Sequence, residues 1–589
     1  MSKTTRRKPI HHLSQAATSA TESGDGWVDG LTELSEESPA TGLLNKFDDA
    51  RAPGQMPDFS IAPGEEFKER LEHAIVLMQN ELKSVGELVL EVGASASWGL
   101  SINDEAKLDD AIQQMTSAAK AQTADLTVLR TRVVDAAGHE DEGVVQCHVA
   151  DVLIRQHPGV KQPLEVRVAI IGNVDSGKST MVGVMTRMVL DDGRGYARSR
   201  VFKHSHEEVT GRTSSIGQHN LVLDSKGAIL NDPLFKNTTC ADYIARASKV
   251  VTMVDLAGHE KYFKTTAYGL TGHLPDYACT IVGANAGVIG MCKEHLGVAL
   301  ALKVPVFFVI TKIDICPKHI LQNTVQDLTA ILRKPGVRKR PIMVRTISDV
   351  LMCARNIHAD SLAPIFMTSA VTGEGLDLMR MFFNLLPQRQ QWADKWGEAT
   401  EFIIDETFGV PGVGTVVAGT VKKGSITMNS TLLLGPDVSD ATFKPTSIKS
   451  IHYKRLAVHQ VVAGQTAALA LKKVKRHQVR KGMVLVDGKI KPRATWEFDA
   501  DIAILTHSTT IQPRYQAVIH CEIVKQSAKV IAMDKERLRS GDRAVVRFRF
   551  MQRPEYLSSG TRFVFREGRT KGIGVVIDVN PTTEMPDHL

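Results

Sequence analysis

Eight consecutive residues, Gly172-Asn173-Val174-Asp175-Ser176-Gly177-Lys178-Ser179, satisfy the spacing G-x-x-x-x-G-K-[ST]. The chemistry served by that spacing is capture of a polyphosphate: the glycines let backbone N–H groups converge on phosphate oxygens, and a following helix adds its positive N-terminal end. Lys178 then reaches the β- and γ-phosphates, and the Ser179 hydroxyl is a ligand for Mg²⁺. Further along, Asp255-Leu256-Ala257-Gly258 follows a branched apolar run. An aspartate at such a strand end can hold the Mg²⁺ water shell, and the N–H of Gly258 can meet the γ-phosphate. Thr311-Lys312-Ile313-Asp314 supplies a base-reading element. A carboxylate accepts both N1–H and N2–H₂ of guanine, whereas adenine offers no such pair, so Asp314 selects GTP and GDP over adenine nucleotides. Lys312 would lie along the ring, and the N–H of Ala370, in Thr368-Ser369-Ala370, would meet O6. A second D-x-x-G, Asp135-Ala136-Ala137-Gly138, precedes the phosphate loop; the metal-holding strand must follow it, so Asp135 is assigned to a loop outside the site.

These groups must sit at successive strand ends, and the pattern around them supplies the strands. Leu164 opens a run ending at the phosphate loop, and Ser179 to Leu190 reads as an apolar helix. Strands over Lys249–Val254, Ala278–Gly283, Pro305–Thr311 and Pro364–Thr368 then alternate with helical patterns, which predicts a mostly parallel sheet with helices on both faces over residues 163–396. Beyond Glu398 the helical period is lost. Short β-rich runs, among them Val413–Val421, Thr466–Leu471, Ala517–Val524, Ala544–Phe550 and Gly574–Val579, predict two β-barrels, at 397–492 and 493–589. Ahead of the sheet domain, Phe67, Leu71, Ala74, Met78, Leu82 and Val85 fall at helical spacing. Asn103-Asp104 caps a second helix, and strand-like runs cover Leu126–Val134 and Val144–Ile154, giving a small α+β unit over 65–162. Residues 1–64 are rich in Ser, Thr, Gly, Pro and acids with few aliphatics, the composition of a disordered tail.

The length of 589 residues requires several domains. The longest uncharged stretch, Tyr277 to Cys292, is broken by glycines and an asparagine and is too short for a membrane span, and the N-terminus lacks the apolar core of a secretory signal. A cytoplasmic protein without membrane contact is expected. Seven cysteines without a C-x-x-C pair argue against a disulfide framework or a zinc ribbon and read as buried thiols. The net charge of +7 is uneven. Residues 1–160 carry 14 basic and 26 acidic side chains, residues 161–396 carry 29 and 20, and residues 397–589 carry 29 and 19. A basic surplus on folded domains favours a polyanionic partner, against the plainer reading of a solvated surface.

With those residues in hand the chain resembles the translational GTPases, whose signatures look like Gly172–Thr180, Asp255–Gly258 followed by His259, Thr311–Asp314 and Ser369–Ala370. More closely, the strings Asp255–Tyr262, Gly269–Asp276 and Gly211-Arg212-Thr213-Ser214-Ser215 resemble the elongation-factor-like GTP-binding protein 1 and 2 family, over about residue 65 to the end. Gly412–Val421 and Arg566–Val576 resemble second- and third-domain strings of elongation factor Tu. The resemblance implies a GTPase acting as a monomer with Mg²⁺, with tRNA or another RNA and the ribosome as partners, and with exchange or RNA-decay factors as further ones. His259 would place the attacking water. Two other readings follow from the same relatives: a GTP-controlled RNA-binding module in ribosome rescue or mRNA decay, and a GTPase subunit regulating a metabolic enzyme, against which the closer strings speak.

The chain departs from the family pattern at several positions. Asn173 and Ser176 replace histidines, at sites that need no side chain to cradle phosphate. Thr311 stands where an asparagine commonly starts the base-reading motif, which predicts a looser tether to the phosphate loop with unchanged base choice. Thr213 matches the second Mg²⁺ ligand, with Ser214 and Ser215 as adjacent candidates. Arg212 occupies a position commonly apolar, and a surface salt bridge is favoured for it over phosphate contact. Basic clusters at Lys472-Lys473-Val474-Lys475-Arg476 and from Lys535 to Arg553 lie where the resemblance puts tRNA contact. Arg547 and Arg549 would share one strand face suited to phosphates.

Overall fold

A computed structural model describes residues 67–93, 102, 104–136, 145–159, 162–231, 240–568 and 570–580. The segment 1–64 therefore lies outside the described residues, as does Asn103. The sheet that carries the phosphate loop has seven strands in the order β5 (Gly217–Leu223), β6 (Lys249–Asp255), β4 (Leu164–Gly172), β7 (Tyr277–Gly283), β8 (Val306–Thr311), β10 (Leu362–Met367) and β9 (Arg340–Met343). Every pairing is parallel except β5 with β6. Helices cover both faces, so the central strands are buried along their whole length and read as continuous apolar runs instead of alternating ones. The antiparallel edge strand β5 and the short β9 lack that signature, and neither was expected from the sequence.

In front of this domain, β1 (Glu87–Val92), β3 (Val145–Gln156) and β2 (Ala124–Ala136) form an antiparallel sheet in the order β1-β3-β2. Helix Phe67–Val85 buries Leu71, Ala74, Met78 and Leu82, and helix Glu105–Ala121 buries Leu108, Ala111, Met115 and Ala119. Both stripes recur every three or four residues and cover one face of the sheet, where Leu90, Val92, Val152 and Ile154 point. Asp104 caps the second helix by accepting from the N–H of Ala106 at 3.0 Å. Alternation sends Val89, Leu129 and Leu153 the other way, into the core of the nucleotide domain. The expected loop at Asp135 is instead the end of β2, opposite Gln146, because β2 and β3 continue as a long two-stranded ribbon.

A buried ion cluster locks the same contact. Glu87 pairs with the guanidinium of Arg155 at 2.5 Å and with Lys249 Nζ at 2.6 Å, and Lys249 also donates to the carbonyls of Asn384 and Leu386. Burial pushes the Glu87 carboxyl up, but the two cations more than reverse that and hold it below its ordinary value.

The remaining strands build two six-stranded barrels. In the first, Thr431–Gly435 pairs with both Val484–Val486 and Lys444–Tyr453, which closes the ring; the second is closed by Glu497–Thr506 pairing with Thr570–Val579. The run Ala517–Val524 is two strands, Gln516–Cys521 and Val524–Met533, because the chain turns back at Glu522, whose φ is +47°. Both barrels are tied to the nucleotide domain. Lys454 of the first bonds Glu165 at 3.2 Å, and Arg566 and Lys571 of the second flank Glu294 at 2.6 and 3.1 Å. No helix among the described residues is long and apolar enough to cross a membrane.

Candidate active site

The phosphate loop, the D-x-x-G turn, the T-K-x-D turn and the Ser369-Ala370 turn leave the sheet at the carboxyl ends of β4, β6, β8 and β10, on one edge of the sheet. This is where open parallel sheets bind ligands. Two glycines make the phosphate loop possible. Gly172 has φ +140°, and a Cβ there would stand 2.2 Å from the carbonyl oxygen of Ile281; Gly177 has φ +92° as the cap of helix Lys178–Arg187.

Within the loop, the carbonyl of Asn173 accepts from Lys178 Nζ at 2.5 Å and from Ser176 Oγ at 2.9 Å, so the backbone at Asn173 does the positioning. Lys178 is buried, which lowers its pKa to about 8 although the Asp255 charge opposes the shift. A Cβ on Gly258 would lie 2.3 Å from Lys178 Nζ, so only glycine lets the D-x-x-G turn close over that amine. Val174, Thr180 and His259 line the same small pocket.

Ser179, Thr213 and Asp255 converge. Ser179 Oγ lies 2.7 Å from Asp255 Oδ2 and 2.6 Å from Thr213 Oγ1, and Thr213 Oγ1 is 3.3 Å from the same Oδ2. Burial raises the Asp255 pKa to about 6, partly offset by the Ser179 hydroxyl and by Lys178, while its Oδ1 has no hydrogen-bond partner among the described residues. Two hydroxyls and a carboxylate with one oxygen left over form the donor set a hard divalent cation takes alongside phosphate oxygens, so these residues fit Mg²⁺.

Ser214 and Ser215 point elsewhere. Both donate from backbone and side chain to Glu207 Oε1 at 2.7–3.0 Å. Burial raises the Glu207 carboxyl, yet these bonds and one from the N–H of Lys203 outweigh it and bring the pKa down to about 2. A lone Glu six residues before a Thr gives no sequence signal, and Glu207 was not anticipated. Arg212 is exposed and sits 3.8 Å from Asp175 of the phosphate loop, an ion pair at the surface.

At the base-reading end, Thr311 Oγ1 donates to the Ser176 carbonyl at 2.7 Å. The threonine thus keeps a tether to the phosphate loop, made by its hydroxyl. Lys312 Nζ donates to the carbonyl of Asp175 at 2.7 Å, drawing its stem across the loop beside exposed Asp314. Ser369 Oγ accepts from the N–H groups of Val371 and Thr372, shaping the turn, and the Ala370 carbonyl accepts from Asp191. His259 is half-buried, and its Nδ1 accepts from the N–H of Lys261 at 3.1 Å.

Residues 164–388 match the model of the elongation factor Tu GTP-binding domain, and residues 414–486 match elongation factor Tu domain 2. The chain is 46% identical over 528 residues to GTP-binding protein 1 of Xenopus laevis, spanning 89% of this chain and 78% of that one. It is 41% identical to GTP-binding protein 2 of Mus musculus, spanning 87% and 85%. The chain belongs to the GTP-binding protein 1 and 2 family of translational GTPases. Membership makes it a GTP-binding GTPase. More distantly it is similar to elongation factor 1-alpha of Sulfurisphaera tokodaii, at 23% identity over 72% of this chain and 99% of that one. Among solved structures it shares its fold with elongation factor SelB of Methanococcus maripaludis in complex with GppNHp, at a TM-score of 0.52 and 19% identity over 72% of this chain and 81% of that one. A bacterial selenocysteine-specific elongation factor gives the same TM-score at 18% identity over 71% of this chain and 60% of that one.

The arginines of the second barrel correct an expectation. Arg547 forms two bonds with Asp499 at 2.7 and 2.8 Å, Arg543 is paired with Asp501, and Arg549 lies 3.6 Å from Glu497. The neighbouring strand places Asp499 and Glu497 directly opposite Arg547 and Arg549 and Asp501 diagonal to Arg543, so this face is an ion-pair ladder and not a bare phosphate-binding surface. Lys472, Lys473, Lys475 and Arg476 differ: all four are exposed and have no carboxylate partner among the described residues.

Proposed function

We propose that the protein is a Mg²⁺-dependent GTPase whose GTP form carries an RNA, tRNA in the first place, to the ribosome, and whose hydrolysis step releases it. The observation that carries this reading is the convergence of Thr213, from the loop after Gly211, on Ser179 and Asp255 of the phosphate site. Thr213 and Asp255 would hold Mg²⁺ with Ser179, Asp255 through water. The metal would draw charge from the β- and γ-phosphates. Phosphate loop residues 172–180 cradle the phosphates, Gly258 meets the γ-phosphate, and Thr311, Lys312, Asp314, Ser369 and Ala370 take the guanine.

In hydrolysis, the water oxygen bonds to the γ-phosphorus in line with the leaving oxygen. The β–γ bridging bond breaks with its electron pair passing to GDP, and the water proton passes to the released phosphate. His259 accepts at Nδ1, so its neutral ring carries the proton on Nε2, from which it donates to the water and turns a lone pair toward phosphorus.

The same loop supports coupling to RNA. Lys203, Ser215 and Ile216 wall a cavity whose opposite sides are Asp405 and Phe408 of the first barrel and Arg553 of the second. A change at Thr213 would thereby reach a charged cavity between domains, and Lys472, Lys473, Lys475 and Arg476 add an exposed basic loop on the first barrel. Filter binding of labelled tRNA tests the reading: tighter binding with a non-hydrolysable GTP analogue than with GDP is expected. Equal affinity in both states would remove nucleotide-gated delivery, since only differential affinity drives such a cycle.

A further inference from the structure

Arg198 was singled out by no motif, yet its side chain lines the phosphate pocket together with Lys178, Ser179, Thr213 and His259. It stands on the short helix Tyr196–Ser199. That helix is fastened to the helix that begins at Lys178: a Cβ on Gly183 would lie 2.2 Å from the carbonyl oxygen of Ala197. Arg198 therefore rides with the phosphate-loop body. Its guanidinium is boxed by bare backbone, because a Cβ on Gly195 would be 2.3 Å from Nε and one on Gly211 would be 3.3 Å from a terminal nitrogen. Gly211 is two residues from Thr213, so the guanidinium abuts the loop that carries the proposed metal ligand.

The side chain is half-buried and makes no hydrogen bond or ion pair among the described residues. Comparable arginines elsewhere are paired: Arg130 and Arg355 with Asp151, Arg547 with Asp499, Arg553 with Glu555. Arg212, the other arginine at this pocket, has Asp175. A guanidinium stays charged at any working pH, and partial burial without a counter-ion is unfavourable unless an anion arrives. The anion this pocket is built for is a triphosphate.

The geometry points to Arg198 as a catalytic arginine supplied in cis, contacting the γ-phosphoryl oxygens as charge builds on them and the bridging oxygen. The inference rests on the nucleotide site proposed above and adds a transition-state contact to it. Because the guanidinium is always charged and forked, it serves a planar, expanding phosphoryl group better than an ammonium could.

The test compares full-length wild type with Arg198→Ala and Arg198→Lys in single-turnover GTP hydrolysis with Mg²⁺, alongside affinities for GDP, a GTP analogue, and GDP with aluminium fluoride. Loss of the arginine is expected to slow hydrolysis on the order of 10³-fold, the low end of what such an arginine contributes. GDP affinity should be unchanged, aluminium fluoride capture lost, the lysine variant mostly inactive, and the alanine variant partly rescued by added guanidinium. A wild-type rate in folded Arg198→Ala would overturn the proposal. So would weakening of GTP and GDP binding by the same factor with the bound rate preserved, which marks a structural role. If Arg198→Ala fails to fold, Arg198→Lys decides by the same two readouts. Wild-type protein that ignores GTP would instead remove the site reading itself.

Discussion

Two regions of the nucleotide domain hold charge inside the protein, and they treat it in opposite ways. Where the small N-terminal unit docks, Glu87 is bracketed by Arg155 and Lys249, and the remaining donors reach the carbonyl of Asp224 and carbonyls at the end of helix Leu376–Leu385. At the nucleotide edge, among the described residues, Asp255 keeps an unpartnered oxygen, the Arg198 side chain has no partner, and Lys178 Nζ bonds a single backbone carbonyl. Buried charge is tolerated in a docking seam when it is saturated from within the chain. A ligand site must leave that saturation to the ligand, so its groups keep open valences.

The comparison can be broken first at the catalytic end. His259→Ala should lower ribosome-stimulated turnover by about 10²- to 10³-fold, the range for loss of one positioned hydrogen-bond donor, while GTP affinity is kept. Phosphate release measured with ribosomes reads it, and an unchanged stimulated kcat would unseat the histidine.

In the saturated seam, Glu87→Ala leaves two cations buried and should cost about 3–5 kcal/mol in chemical denaturation of the full chain. Nucleotide affinity in the surviving folded protein should not move. A loss of GTP binding without loss of stability would erase the distinction between the two regions.

Asp314→Asn should shift preference from guanine toward xanthine by about 1.5–3 kcal/mol, one hydrogen bond to a charged group, because the amide donates where the carboxylate only accepts. Competition between GTP and XTP checks it, and a retained guanine preference counts against the assignment.

Lys178 supplies a smaller, pH-read effect. Its pKa in the folded protein is lowered to about 8, so the ammonium is lost as pH rises through that value, and GTP affinity should fall there by at most about tenfold per unit. A flat profile from pH 7 to 9.5 would show that the amine is not what grips the phosphates.

The smallest effect separates the two basic surfaces of the barrels. Neutralising Lys472, Lys473, Lys475 and Arg476 together should make the salt dependence of RNA binding shallower by about 3 in log–log slope, whereas Arg547→Ala should leave that slope alone, since Asp499 already occupies its guanidinium. The opposite ranking would make the ladder, and not the loop, the RNA surface.

The nucleotide motifs were legible because each is a contiguous string whose work is done largely by backbone, and the strand before Gly172 and the helix after Ser179 were written in apolar runs. Choosing among Thr213, Ser214 and Ser215 was beyond the sequence, since three adjacent hydroxyls are equivalent until Glu207 takes two of them. The arginines from 543 to 549 misled for a related reason: charge composition counts the cations on one strand, but their availability depends on the register that sets Asp499 opposite Arg547. The edge strand β5 and the turn at Glu522 were lost because edge strands lack the buried apolar run and a single residue at positive φ leaves no pattern.

The sequence by itself determined that a phosphate loop, a D-x-x-G string and a T-K-x-D string occur in the order one parallel sheet requires. Only the tertiary structure decided which charges are spent within the protein and which remain for a ligand, because ion pairs and hydrogen bonds are set by partners brought together from far along the chain: Glu87 with Lys249 and Glu294 with Arg566 as ion pairs, and Thr213 donating to Asp255.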